Sequence, residues 1–254
     1  MNESPLAQFE IHPYVPLHLF GFDVSFTNSS LLMLLAIVLS LALLVGGGAR
    51  RALVPGRLQS LAEMFYEFIA GMVMENCGTA GMKYMPWIFA IFMFVLFGNL
   101  LGLEPWSFTF TSHIIVTFAL AMMVFLFVTG LALAKHGMNF FGFFLPPGVP
   151  VWLWWLIIPI EIISYLSRPI SLSVRLFTNM FAGHMLMVIV SSFAVSLAVY
   201  FGTSHPVLGI LAGAPLVGFN IIMMLFELLV AVLQAYVFAI LTALYLKDAL
   251  ELHH

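Results

Sequence analysis

From Asn28 onward the chain alternates long apolar runs with short polar breaks, and the runs are too long to be strands. Leu31 to Val45 is interrupted only by Ser40. With its small and polar flanks, over 29–48, it reaches the ~20 residues that span a bilayer as a helix. Gly46, Gly47 and Gly48 end it, and Arg50, Arg51 and Arg57 follow. Over 58–77 the pattern changes. Leu58, Leu61, Phe65, Phe68 and Met72 recur at helical spacing, with Gln59, Glu63 and Glu67 largely elsewhere on the wheel. That predicts an amphipathic helix at the membrane surface. Pro86 to Leu103 and Ile114 to Ala134 are two further spans, a transmembrane hairpin over 86–134 joined by the loop from Glu104 to His113. Gly98 and Gly102 make a small-xxx-small pattern, which predicts close packing of helices.

The region 151–246 has a different scale. Trp152 to Tyr200 and Pro206 to Leu246 are near-continuous apolar stretches, each exceeding 40 residues. Forty helical residues are about 60 Å long, twice the ~30 Å hydrocarbon core. Each stretch therefore holds either two crossings or one steeply tilted helix. Gly202-Thr-Ser-His-Pro206 is the clear turn between them, and Pro169 can kink the first. The expected fold is an all-α polytopic membrane protein, a single membrane domain over 1–254. It has an N-terminal segment outside the membrane (1–28), one transmembrane helix, the surface helix, the hairpin, and a C-terminal antiparallel pair of long, strongly tilted helices. No internal repeat of the transporter type is visible.

Composition agrees: 63% of the 254 residues are hydrophobic and 7% charged, against about 25% charged in soluble domains. No cleavable signal peptide is evident in the polar, acidic segment up to Asn28, so the first span is expected to direct insertion itself. Charge placement orients the chain. Arg50, Arg51, Arg57, Lys83, Lys135 and Lys247 fall on one side if the first span runs outward to inward, with Glu3, Glu10, Asp23 and Glu104 on the other. By the positive-inside rule the N-terminus is outside and the C-terminus cytoplasmic. A single cysteine, Cys77, excludes a disulfide framework and a thiolate metal cage. No Walker-type phosphate loop is present, and no cofactor, metal or nucleic-acid site is expected.

The remaining basic residues, Arg168 and Arg175, lie within the membrane stretch, where an unremovable guanidinium charge is costly. It cannot relay protons, but it can attract, hold or release a carboxylate. Glu161, Arg168 and Arg175 are spaced by seven, so each step rotates only about 20°. Asn179 is four residues beyond Arg175 on nearly the same face, and His184 looks out on the opposite side. On the second long helix Asn220, Glu227 and Gln234 are the intramembrane polar residues. In an antiparallel hairpin, facing residues have numbers adding to a constant, here about 410. That sets Gln234 level with Arg175, and Glu227 level with His184. Structural readings stand beside these. Arg175 can tie to Glu161 or to a partner's carboxylate, Arg168 can snorkel or pair, and Asn179 and Gln234 can be ordinary interhelical hydrogen bonders.

The segment Ser171-Leu-Ser-Val-Arg-Leu-Phe-Thr-Asn-Met-Phe-Ala-Gly-His184 resembles the signature around the essential arginine in the a subunit of F-type ATP synthases. Leu233-Gln-Ala-Tyr-Val-Phe238 is similar to that family's last-helix signature, and Gly98-Asn-Leu-Leu-Gly-Leu-Glu-Pro105 to its earlier span. Ser4-Pro-Leu-Ala-Gln-Phe-Glu-Ile11 resembles the N-terminus of mitochondrial and alphaproteobacterial members. The resemblance runs nearly end to end. It implies that Arg175 faces a rotor of c subunits and meets their carboxylate, assisted by Asn179 and Gln234. It also implies that His184 and Glu227 line an outer half-channel, a pair that some bacterial members carry with Glu first and His second. Glu161 is either an inner half-channel group or an interface residue. The implied partners are the c-ring, peripheral-stalk b subunits, other synthase subunits and the lipid bilayer. The implied location is a bacterial inner (plasma) membrane, with the mitochondrial inner membrane as the alternative. Proton translocation, rather than enzyme chemistry of its own, is the expected function. A self-contained secondary transporter or proton channel is the alternative, expected to show inverted repeats. A haem-bearing subunit would need paired intramembrane histidines, whereas only His184 lies deep.

Overall fold

A computed structural model describes residues 10–16, 18–19, 22–23, 25–49, 54–103, 108–137, 140, 142, 151–203 and 206–250. Arg50, Arg51, Glu3 and Glu104, used above to orient the chain, lie outside these residues. The described chain is almost entirely helical: α1 Asn28–Gly48, α2 Arg57–Gly81, α3 Met85–Leu101, α4 Ile114–His136, α5 Trp154–Gly202 and α6 Pro206–Leu250. Among the described residues five helical stretches are long and apolar enough to cross a membrane, with α2 and α3 together forming one of them. The all-α polytopic fold is as expected. Each long C-terminal stretch is one uninterrupted helix, 49 residues for α5 and 45 for α6, and not a pair of crossings. Pro159 and Pro169 lie inside α5 and Pro215 inside α6.

Contacts gather the chain into two compact units. The first comprises Met1–Leu39, Val95–His113 and Leu176–Gln234; the second, Ser40–Phe94, Ile114–Arg175 and Ala235–His254.

In the first unit the N-terminal segment carries short strands that the sequence pattern does not signal. β1 (Pro13–Val15) pairs antiparallel with β4 (Phe26–Thr27), and β2 (His18–Leu19) with β3 (Phe22–Asp23). Asn28 ties this segment to the start of α1: its Nδ2 donates to the Glu10 carbonyl and its Oδ1 accepts from the His12 N–H. Thr27 Oγ1 accepts from the Ser30 N–H, one of the donors that a helix start leaves without an intrahelical partner. Gly98 and Gly102 serve a purpose other than the expected one. A Cβ on Gly98 would overlap the Phe110 ring, and one on Gly102 would overlap the Thr109 side chain. The two glycines make room for the segment entering α4, so their spacing reflects a loop laid across α3.

In the second unit α2 departs from the sequence reading. Its buried positions include Ala62, Ile69, Met72, Val73 and Cys77, while Leu58, Leu61 and Phe68 are exposed. Of the expected apolar stripe Met72 is buried and Phe65 half-buried, so the buried face overlaps that stripe only in part and is shifted toward Ala62, Ile69 and Val73. The reason is the solvent. Lipid is as apolar as a protein interior, so large apolar side chains can lie on either face of such a helix. Cys77 Sγ donates to the Ala243 carbonyl, and Phe68 lies 5.3 Å from Tyr236 between ring centres, so α2 packs on α6. Gly78, at φ +61°, supplies the backbone conformation that breaks the regular helix near its end. Gly137, at φ +57°, ends α4 in the left-handed conformation usual after a helix.

Candidate functional site

Within the first unit, residues of α5 after Arg175 run antiparallel to α6, and the contacts confirm the expected register. Asn179 Nδ2 donates to Gln234 Oε1 at 2.9 Å. Asn220 Nδ2 donates to Ser191 Oγ at 2.5 Å and to the Met187 carbonyl at 3.3 Å. A Cβ on Gly183 would stand 3.0 Å from Glu227 Oε1. Toward the turn, a Cβ on Gly209 would stand 2.6 Å from the Ala198 carbonyl oxygen, so backbone meets backbone there. All these pairs have residue numbers adding to about 410, the constant expected for this antiparallel hairpin.

The polar residues of this unit are deeply placed. His184 is 1% exposed, Gln234 3% and Glu227 4%. The His184 ring lies against the Gly102 backbone. Neither oxygen of Glu227 has a hydrogen-bond partner among the described residues, so no direct bond joins it to His184. The two groups share one level of the hairpin, with Gly183 placed against the carboxyl. Asn99, from α3, is fully buried and donates to the Ala231 carbonyl at 3.3 Å, one turn from Glu227. The Asn99 hydrogen bond sits within this polar row.

In the second unit the charges of α5 separate into two kinds. Arg168 forms an ion pair with Asp248 of α6, Nη1 to Oδ2 at 2.9 Å. Its guanidinium is flanked by the Tyr165 and Tyr245 rings, and the Tyr165 hydroxyl is bonded to Thr129 of α4 at 2.7 Å. Of the two readings of Arg168, a structural pair is the one observed. Asp248 was missed in the sequence because it sits in the last helical turn beside Lys247, where it resembles a solvated end. Its number places it roughly opposite Arg168, and that was the available signal. Arg175 is exposed, and among the described residues it takes part in no ion pair. Glu161 is half-buried and likewise has no ion-pair partner there, so the expected alternative of an Arg175–Glu161 tie is not formed. The Lys135 ammonium and the His136 ring, at the end of α4, reach the Leu250 and Ala249 carbonyls at the end of α6.

Fold and polar row together define a class: a multi-pass helical membrane protein that buries a histidine and a carboxyl, His184 and Glu227, on the antiparallel stretches of two very long helices. Residues 29–247 match the family model described as ATP synthase A chain. Two relatives, each named ATP synthase subunit a and both from Rhodospirillum rubrum, one of them from a designated strain, are 51% identical over 250 residues. The alignment covers 98% of this chain and 99% of each relative. The chain belongs to the ATP synthase subunit a family. Membership makes it the proton-translocating stator component of the membrane sector, working with other synthase subunits, with nucleotide chemistry carried elsewhere. The self-contained transporter and the haem subunit are thereby set aside.

Proposed function

We propose that Arg175 is the gate between two offset half-channels and that its charge faces the carboxylates of a rotor ring of c subunits. The observation that carries this reading is the contrast between the two arginines of α5. Arg168 is neutralised within the chain by Asp248, whereas Arg175 is exposed and has no ion pair among the described residues. An uncompensated guanidinium in a membrane helix is stabilised by a carboxylate brought to it from outside the chain. Asn179 and Gln234, bonded to each other, assist on the neighbouring turn.

In this reading the N-terminus is outside, the C-terminus is cytoplasmic, and the membrane is a bacterial plasma membrane, the mitochondrial inner membrane being the alternative. Protons enter from outside through the level of His184 and Glu227 and neutralise a rotor carboxylate, which then tolerates lipid. Rotation returns the carboxyl to Arg175 from the other side, where the positive charge favours its ionised form and the proton leaves through the inner half-channel. Glu161 is placed on that side. The membrane potential contributes about 2.3 kcal/mol per charge per 100 mV. Peripheral-stalk b subunits hold the chain against the rotor.

The test uses the whole synthase reconstituted into vesicles. Arg175→Ala should abolish proton-driven ATP synthesis while the complex still assembles. Arg175→Lys should fail largely as well, since a compact ammonium lacks the planar fork. Near-normal synthesis by the alanine variant would refute the gate.

A further inference from the structure

Asn220 and Ser191 repeat the level of Glu227 and His184 one heptad further along both helices. Asn220 precedes Glu227 by seven residues on α6, and Ser191 follows His184 by seven on α5. Each step is about 10.5 Å along the axis and about 20° around it, so the two levels share one seam of the hairpin. The Asn220–Ser191 hydrogen bond shows that the seam is closed at the second level. The amide's orientation is fixed chemically, because Nδ2 also donates to the Met187 carbonyl, which can only accept. Oδ1 is therefore the remaining group. It is buried, and no described residue donates to it. The Glu227 oxygens, two turns away along the same face, are in the same condition. Buried acceptors of this kind are ordinarily satisfied by ordered water.

We infer that Asn220, held by Ser191, is a positioning residue for the outermost polar step of the proton path, its Oδ1 fixing a water from which protons pass toward Glu227. The inference rests on the outer half-channel reading above. An amide does not titrate near neutral pH, so Asn220 carries no proton itself; it orients the donor. The distance between the levels is bridged by about three hydrogen-bonded waters, each step being ~2.8 Å. Ser191 Oγ, accepting from Asn220, keeps its own O–H to donate onward.

The experiment replaces both partners by apolar groups, Asn220→Leu with Ser191→Ala, in the intact reconstituted synthase. A hydrogen bond that serves packing alone can be removed this way at little cost, because no buried partner is left unmet. A positioning role predicts that synthesis falls about tenfold when external protons are scarce and recovers as they become abundant. A rate within twofold of the wild type at every proton concentration would overturn it, as would an equal loss at all of them. If the double variant does not assemble, Asn220→Cys decides: silver ions added outside should inhibit it at least tenfold faster than Ile221→Cys or Ile222→Cys on the exposed face. Equal rates would overturn the inference. Normal synthesis by Glu227→Gln would instead sink the half-channel reading, whereas loss there with a normal double variant would sink only the role of Asn220.

Discussion

Arg168 and Asp248 form a 2.9 Å ion pair whose cation also lies 5.2 Å from the Tyr165 ring centre and 5.1 Å from that of Tyr245. The arrangement disposes of one of the two positive charges on α5 locally. Asp248→Asn should lower stability by about 1 kcal/mol, the scale of a partly exposed pair reinforced by aromatic faces. Removing both charges, Arg168→Met with Asp248→Leu, should recover most of that loss. Thermal unfolding of the purified complex carrying the single and double variants measures the coupling; a double variant worse than the sum of its singles would contradict the pairing.

The Asn179–Gln234 bond joins an exposed residue to a buried one. Interhelical hydrogen bonds within membranes are worth about 0.6 kcal/mol on average, with a maximum near 1.7. Asn179→Ala and Gln234→Ala should therefore leave the complex assembled, and their effects on synthesis should be strongly non-additive. A double-mutant cycle on the synthesis rate checks this, and simple additivity would mean the two do not act together.

Gly209 admits no side chain, because a Cβ there would press on the Ala198 carbonyl and the Gly202 Cα, both backbone. Gly218, on the same helix, has open space at that position. Gly209→Val should sharply reduce recovery of assembled complex, whereas Gly218→Val should be tolerated. Quantifying the subunit in purified complexes tests the contrast.

His113 stacks on Phe108 at 4.9 Å, and burial lowers its imidazole below the ordinary value of 6.5. Below that value the unfolded chain binds a proton that the folded chain resists. The stability is fully present above pH 6.5 and is lost as pH falls through the window below it. His113→Gln should flatten the decline of the unfolding midpoint between pH 7 and pH 5, measured on the solubilised complex. An unchanged slope would remove His113 as the cause.

Much of this architecture was legible because lipid imposes few solutions on a backbone that must satisfy its own hydrogen bonds. The spans followed from apolar run length, and the hairpin register from pairing Arg175 with Gln234 and His184 with Glu227 about the turn. The facing of α2 was not legible, since the inside and the outside of a membrane protein are equally apolar and periodicity alone cannot choose between them. Gly98 and Gly102 misled for a related reason: small residues admit any close neighbour, and here that neighbour is Phe110 and Thr109 of a connecting segment. Asp248 was hidden by its position at a helix end, where an acidic residue ordinarily meets water.

The hydrogen bonds of Asn99 to Ala231 and of Cys77 to Ala243 span 132 and 166 residues of chain. At translation rates of about 5–20 residues per second, roughly 7 to 33 seconds separate the making of each donor from that of its acceptor. Throughout that interval α3 carries a carboxamide whose eventual carbonyl does not yet exist. The last helix synthesised is thus the one that relieves the earlier ones, and a ribosome stalled before Ala231 would leave a polar group in the membrane for quality-control machinery to find.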